Sequence, residues 1–83
     1  MKYECPCCKH YTLPKPVRET LAYICPVCFW EDDFLLFRDD ESSTSNGGMT
    51  LIEGRRNYQT YGACEKELVQ YVRKPLRDEL GED

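Results

Sequence analysis

Two tetrapeptides, Cys5-Pro6-Cys7-Cys8 and Cys25-Pro26-Val27-Cys28, and a capped helical pattern that starts at Thr50 predict the fold class. It is a small α+β domain, with zinc-ribbon-like (rubredoxin-like) β-hairpins carrying two metal knuckles and two C-terminal helices behind them. Each tetrapeptide sets its outer cysteines at C-x-x-C spacing, and 16 residues separate Cys8 from Cys25. Two thiolates three positions apart on a tight turn can face one ion at about 2.3 Å, and two such turns complete a tetrahedron. Proline at the second position fixes φ and presets each turn. Cys5, Cys8, Cys25 and Cys28 are therefore the predicted ligands of one Zn2+ per chain. Cys7 lies between two ligands and cannot easily face the same ion, so it reads as a spare thiol packed near the site.

Other uses of the six cysteines fit less well. Three disulfides would allow about 15 connectivities, but Met1-Lys2-Tyr3-Glu4 leads into Cys5 with no apolar signal core. That predicts a cytoplasmic, reducing setting in which structural disulfides are rare. A thioredoxin-like redox centre calls for a βαβ pattern, and these 83 residues show none.

Size and composition point the same way. The chain reads as one domain, with 41% hydrophobic and 31% charged residues. At this length a core alone struggles against chain entropy. A structural zinc, bound with on the order of 10–16 kcal/mol, makes up the deficit. The formal net charge is −4, and four thiolates around Zn2+ carry it to about −6. The lysines and arginines are scattered, with Arg55-Arg56 and Arg73-Lys74 as the adjacent pairs. This argues against a nucleic-acid partner. No run approaches the ~18 apolar residues of a membrane span.

Residues 1–38 form the expected metal-binding ribbon. Residues 2–4 and Tyr11-Thr12-Leu13 read as short strands around the first turn, and Pro14 and Pro16 make a bend. Arg18 to Ile24 alternates like a strand that feeds the second turn. Trp30, the single tryptophan, is expected to cap the small core beside the metal; a surface anchor for a partner is the alternative. Phe34-Leu35-Leu36-Phe37 reads as a buried third strand.

Residues 39–49 are polar and glycine-rich, the signature of a flexible loop, and they lack the spacing of a calcium loop. Residues 50–75 form the helical part. Thr50 and Glu53 make a capping box, Leu51, Arg55, Tyr58 and Tyr61 recur on one face with Ile52 alongside, and Gly62 suits a left-handed cap. A second helix is expected from Glu65 to Val72, burying Leu68, Val69 and Val72, with Pro75 ending it. Residues 76–83 read as a frayed acidic tail. Cys64 precedes the second helix and reads as a small buried residue, because a nucleophile needs a base and an oxyanion site that the sequence does not supply. His10 reads as an ordinary surface or half-buried side chain, since four cysteines already complete a metal site.

These residues resemble the bacterial cysteine-rich CPCC family. The resemblance rests on Cys5-Pro6-Cys7-Cys8, on Cys25-Pro26-Val27-Cys28-Phe29-Trp30-Glu31-Asp32-Asp33, on Arg55-x-Asn57-Tyr58, on Gly62-Ala63-Cys64 and on Val72-Arg73-x-Pro75. It covers roughly residues 3 to 75. One departure is Lys9, where the family often has glycine after the first turn. The resemblance implies a cytoplasmic zinc-binding protein and names no reaction or substrate.

The expected function is a structural zinc-binding module that mediates contact with an unknown protein partner and catalyses nothing itself. Four protein ligands leave no open position on the metal. Trp30, the acidic run Glu31-Asp32-Asp33 and the exposed tyrosines of the first helix are the candidate contacts. The alternatives are a rubredoxin-like iron electron carrier, a thiol redox sensor acting through Cys7 or Cys64, and a nucleic-acid-binding ribbon.

Overall fold

The computed structural model describes residues 2–81. Strand β1 (Tyr3–Glu4) pairs antiparallel with β2 (Tyr11–Leu13), with Tyr3 opposite Leu13 and Glu4 opposite Tyr11, so the register slips between the two pairs. The first Cys-Pro-x-Cys turn closes this hairpin. The second turn is closed by a single bridge, Ile24 to Glu31.

The strand expected over Arg18–Ile24 does not form. Arg18, Leu21 and Ala22 take left-handed φ values of 72°, 57° and 67°, and Leu21 is 96% exposed. The cause lies in Asp32. Its carboxylate accepts the Arg18 N–H at 2.9 and 2.8 Å and the Thr20 hydroxyl at 2.6 Å, curling the segment into a loop. The Phe34–Phe37 run is likewise no strand. Asp33 Oδ1 accepts the Leu35 N–H, and the Leu36 N–H donates to the Asp33 carbonyl, which makes a turn. Leu36 alone is buried; Phe34, Leu35 and Phe37 are 64%, 69% and 70% exposed.

Residues 39–49 form a closed, hydrogen-bonded loop. Ser43 is fully buried, bridges to Met49, and donates its hydroxyl to Asp33 Oδ2 at 2.8 Å; a 3₁₀ turn spans Thr44–Asn46. The Asn46 side chain then acts as a surrogate strand. It accepts the Glu31 N–H and donates to the Glu31 carbonyl, both at 2.9 Å, on the hairpin that holds the second turn.

Helix α1 (Leu51–Tyr61) begins at Thr50 with both halves of the capping box in place and ends at Gly62 in the left-handed region. Its buried residues are Leu51 and Gly54, whereas Ile52 and Tyr61 are each 45% exposed. The second expected helix is a 3₁₀ segment, Lys66–Tyr71, in which no residue is fully buried. Val69 is 44% exposed, and Val72 lies beyond the segment in extended backbone. Both ends are tied to the second turn, by Cys64 N–H to Cys28 O at 2.7 Å and Arg73 N–H to Pro26 O at 3.1 Å. Such a short tethered loop favours a tight 3₁₀ turn over an α-helix.

The expected frayed tail is docked as far as it is described, residues 82 and 83 lying outside the described residues. A 3₁₀ turn over Arg77–Glu79 buries Glu79 to 1% exposure. The Glu79 carboxylate accepts both Arg73 Nη atoms at 2.8 and 2.9 Å, Lys2 Nζ at 3.2 Å and the Leu76 N–H at 2.8 Å. Arg73 draws the carboxyl down to about 2, against the cost of burial.

The core gathers all six cysteines with Leu13, Val27, Trp30, Leu36 and Leu51. Trp30 is 1% exposed, so it is a core residue and no surface anchor. Among the described residues, no helix is long and apolar enough to cross a membrane.

Candidate metal centre

The two Cys-Pro-x-Cys turns are built alike. In the first, Cys5 N–H donates to His10 O at 2.8 Å and Lys9 N–H donates back to Cys5 O at 2.9 Å. In the second, Cys25 N–H donates to Trp30 O at 2.9 Å and Phe29 N–H to Cys25 O at 2.8 Å. The residue after the second cysteine is left-handed in both, with φ of 69° at Lys9 and 72° at Phe29. Lys9 thus stands where glycine carries no steric cost. The proline carbonyls are also held: Arg55 Nε donates to Pro6 O at 2.8 Å, and the Arg73 N–H to Pro26 O. Arg55 in turn pairs with Asp39 at 2.7 Å.

This scaffold brings the sulfurs of Cys5, Cys8, Cys25 and Cys28 within 4.8 Å of one another. Cys5 and Cys28 Sγ are 3.7 Å apart, and Cys8 and Cys25 Sγ are 3.8 Å apart. A tetrahedron with metal–sulfur bonds of about 2.3 Å has edges of about 3.8 Å. A disulfide requires about 2.05 Å, and all six cysteines are free thiols. The donor set therefore fits a metal ion, and these four cysteines could hold one.

The four thiols are tightly coupled to one another. Hydrogen bonding to Cys25 raises the thiol pKa of Cys5, Cys8 and Cys28, and the hydrogen bond from Cys28 lowers that of Cys25. Four thiolates packed this closely repel one another, and a bound cation would offset that repulsion. Thr12 Oγ1 lies 3.1 Å from Cys25 Sγ and would orient that sulfur in a metal site.

The remaining residues fall outside the cluster. Cys7 is 2% exposed, and its Sγ faces Gly54 of α1. Cys64 is 1% exposed, and burial pushes its thiol up to about 12, the opposite of an activated nucleophile. His10 is half-buried and meets Tyr58 edge-on, with ring centroids 6.0 Å apart. Burial, reinforced by the nearby thiols, pushes the Tyr58 hydroxyl up to about 12.

Gly54 escaped the sequence reading. A Cβ built there would sit 3.2 Å from Cys7 Sγ and from two ring carbons of Trp30. The signal was present, since an isolated glycine inside a helical pattern usually has a packing reason. Asp32 and Asp33 are 3% and 8% exposed and cap loops from within, so they are not part of an outward acidic face.

Comparisons with curated proteins and with solved structures find no match to this chain. The family model described as Cysteine-rich CPCC matches residues 3–79, which takes in both metal turns, α1 and the Glu79 dock. The chain belongs to the cysteine-rich CPCC family.

Proposed function

We propose that this chain is a zinc-ribbon-like structural module whose metal, one Zn2+ on Cys5, Cys8, Cys25 and Cys28, holds a surface for contact with another protein. The observation that carries the metal reading is the pair of sulfur separations, 3.7 and 3.8 Å, at the edge length of a metal tetrathiolate. Burial of all four ligands supports a closed site with no position for substrate water. The metal then acts through folding: without it, a small core half made of thiols must hold unpaired sulfur groups together.

The interaction reading draws support from large apolar side chains left outside the core, among them Phe34, Leu35, Phe37 and Tyr61. Elemental analysis of protein purified without chelator should give one zinc per chain, with zinc and near-UV dichroism lost together in Cys25→Ser. Iron in place of zinc would redirect the reading to electron transfer. For the interaction, photo-cross-linkers at positions 35 and 61 should capture a discrete heteromeric product in cells. A zinc-loaded chain that captures nothing from either position would overturn the interaction role.

A further inference from the structure

The strongest unassigned surface is the groove between the C-terminal end of α1 and the extended segment after the 3₁₀ turn. This open groove has a volume of about 300 Å3. Tyr58 and Tyr61 form one wall, and Val69, Val72, Lys74 and Pro75 the other. Tyr61 and Val69 are 45% and 44% exposed, so both apolar walls are open to solvent. The volume sits at the lower end of the ~300–1,000 Å3 of small-molecule sites, which suits a side-chain anchor better than a cofactor.

The charge of the groove's lining departs from that of the chain. No carboxylate lines it, although the protein carries 15 acidic residues and a net charge of −4. Lys74 lines the groove, and Lys66, set between the exposed Glu65 and Glu67 just outside the lining, holds its Nζ 5.9 Å from the Tyr61 ring centroid. Neither lysine has an ion-pair partner among the described residues, whose five salt bridges involve Lys2, Arg38, Arg55 and Arg73. Arg73 also lines the groove, but Glu79 already holds its guanidinium. One unpaired cation on the lining of an apolar, tyrosine-walled slot and a second over its Tyr61 ring call for an apolar anchor with carboxylates near it.

We infer that this groove docks an acidic linear peptide segment of a partner protein, with one aliphatic or aromatic side chain seated against Tyr58, Tyr61 and Val69 and its carboxylates facing Lys66 and Lys74. Complementary charge steers encounter and selects the partner, while the buried anchor supplies the hold. A nucleic acid fits less well, because two lysines on a net-negative domain neutralise few phosphates. The inference rests on the interaction role proposed above and specifies its surface.

The test is selection from a random heptapeptide display library on the zinc-loaded chain, repeated on K66E/K74E. Both substitutions are on exposed side chains, so zinc content and near-UV dichroism should be unchanged. Expected are enriched peptides with acidic residues around a single large apolar one, binding at least tenfold more weakly to K66E/K74E and more weakly at raised salt. Tyr61→Ala should weaken them as well, by loss of the anchor wall. Enriched peptides that bind K66E/K74E equally well would overturn this groove while leaving the interaction role standing on another face. No enrichment, enrichment of basic or uncharged peptides, displacement by single-stranded oligonucleotide but not by acidic peptide, or occupation of the groove by a second copy of the chain would each overturn it.

Discussion

Gly54 and Trp30 touch across the centre of the molecule: the α1 backbone approaches the indole so closely that a Cβ at position 54 would lie 3.2 Å from the ring. Trp30 and Cys7, whose Sγ lies at the same distance, are both buried, so neither neighbour has room to yield. Gly54→Ala gains about 1 kcal/mol of helix propensity but forces overpacking that costs about 1–3 kcal/mol. The expected result is a zinc-loaded protein less stable by about 1 kcal/mol, with a larger loss for Gly54→Val. A raised melting temperature in Gly54→Ala would show that the helix is free to move away.

Lys9 makes the opposite prediction. Its side chain is exposed and its φ is 69°. The left-handed conformation costs an L-residue about 1–2 kcal/mol, offset in part by glycine's extra unfolded-state freedom. Lys9→Gly should stabilise the zinc-loaded protein by about 0.5–1 kcal/mol in denaturant unfolding. Phe29→Gly, at the equivalent position, should not, because the Phe29 ring packs 5.7 Å from that of Tyr71.

Asn46 links the 39–49 loop to the hairpin of the second turn through two hydrogen bonds to Glu31. Asn46→Ala leaves both backbone groups without their partner, at a cost of about 1–3 kcal/mol. Amide hydrogen exchange at Glu31 should accelerate in the variant while that at Cys5 stays slow. Equal exchange at Glu31 in both proteins would contradict the surrogate-strand role.

Glu79 gives the pH dependence. Its carboxyl is lowered in the folded protein, to about 2 from a reference value of 4.5. The sign follows: the unfolded chain binds this proton more tightly, so the contribution is complete above about pH 4.5 and is lost as pH falls toward 2. Acid also protonates thiolates, so the comparison is with Glu79→Gln. That variant should be less stable at neutral pH, and the difference from wild type should shrink as the pH drops through this window, with zinc release followed separately.

The six cysteines should divide into four and two. Cys8→Ser should lose the metal, whereas Cys7→Ser and Cys64→Ser should each retain one zinc, since neither sulfur belongs to the cluster within 4.8 Å. Loss of stoichiometric zinc from Cys7→Ser would bring the fifth thiol into the coordination chemistry.

What the sequence determined by itself is local. Cysteine spacing and proline position define the two turns; Thr50, Glu53 and Gly62 define both ends of α1. These features rest on contacts within a few residues, so composition and spacing suffice to reveal them. Tertiary structure decided the rest. Asp32 reaches back to Arg18, 14 positions away, and turns an expected strand into a loop. Asp33 tethers Ser43 from 10 positions away and helps leave an apolar run in solvent. Glu79 meets Lys2 across 77 positions and converts an expected frayed tail into a buried ion-paired dock. Acidic residues near a strand read as solvent-facing because a buried carboxylate is costly without partners. Here the partners exist, but they are supplied by distant backbone and side chains that only folding brings near.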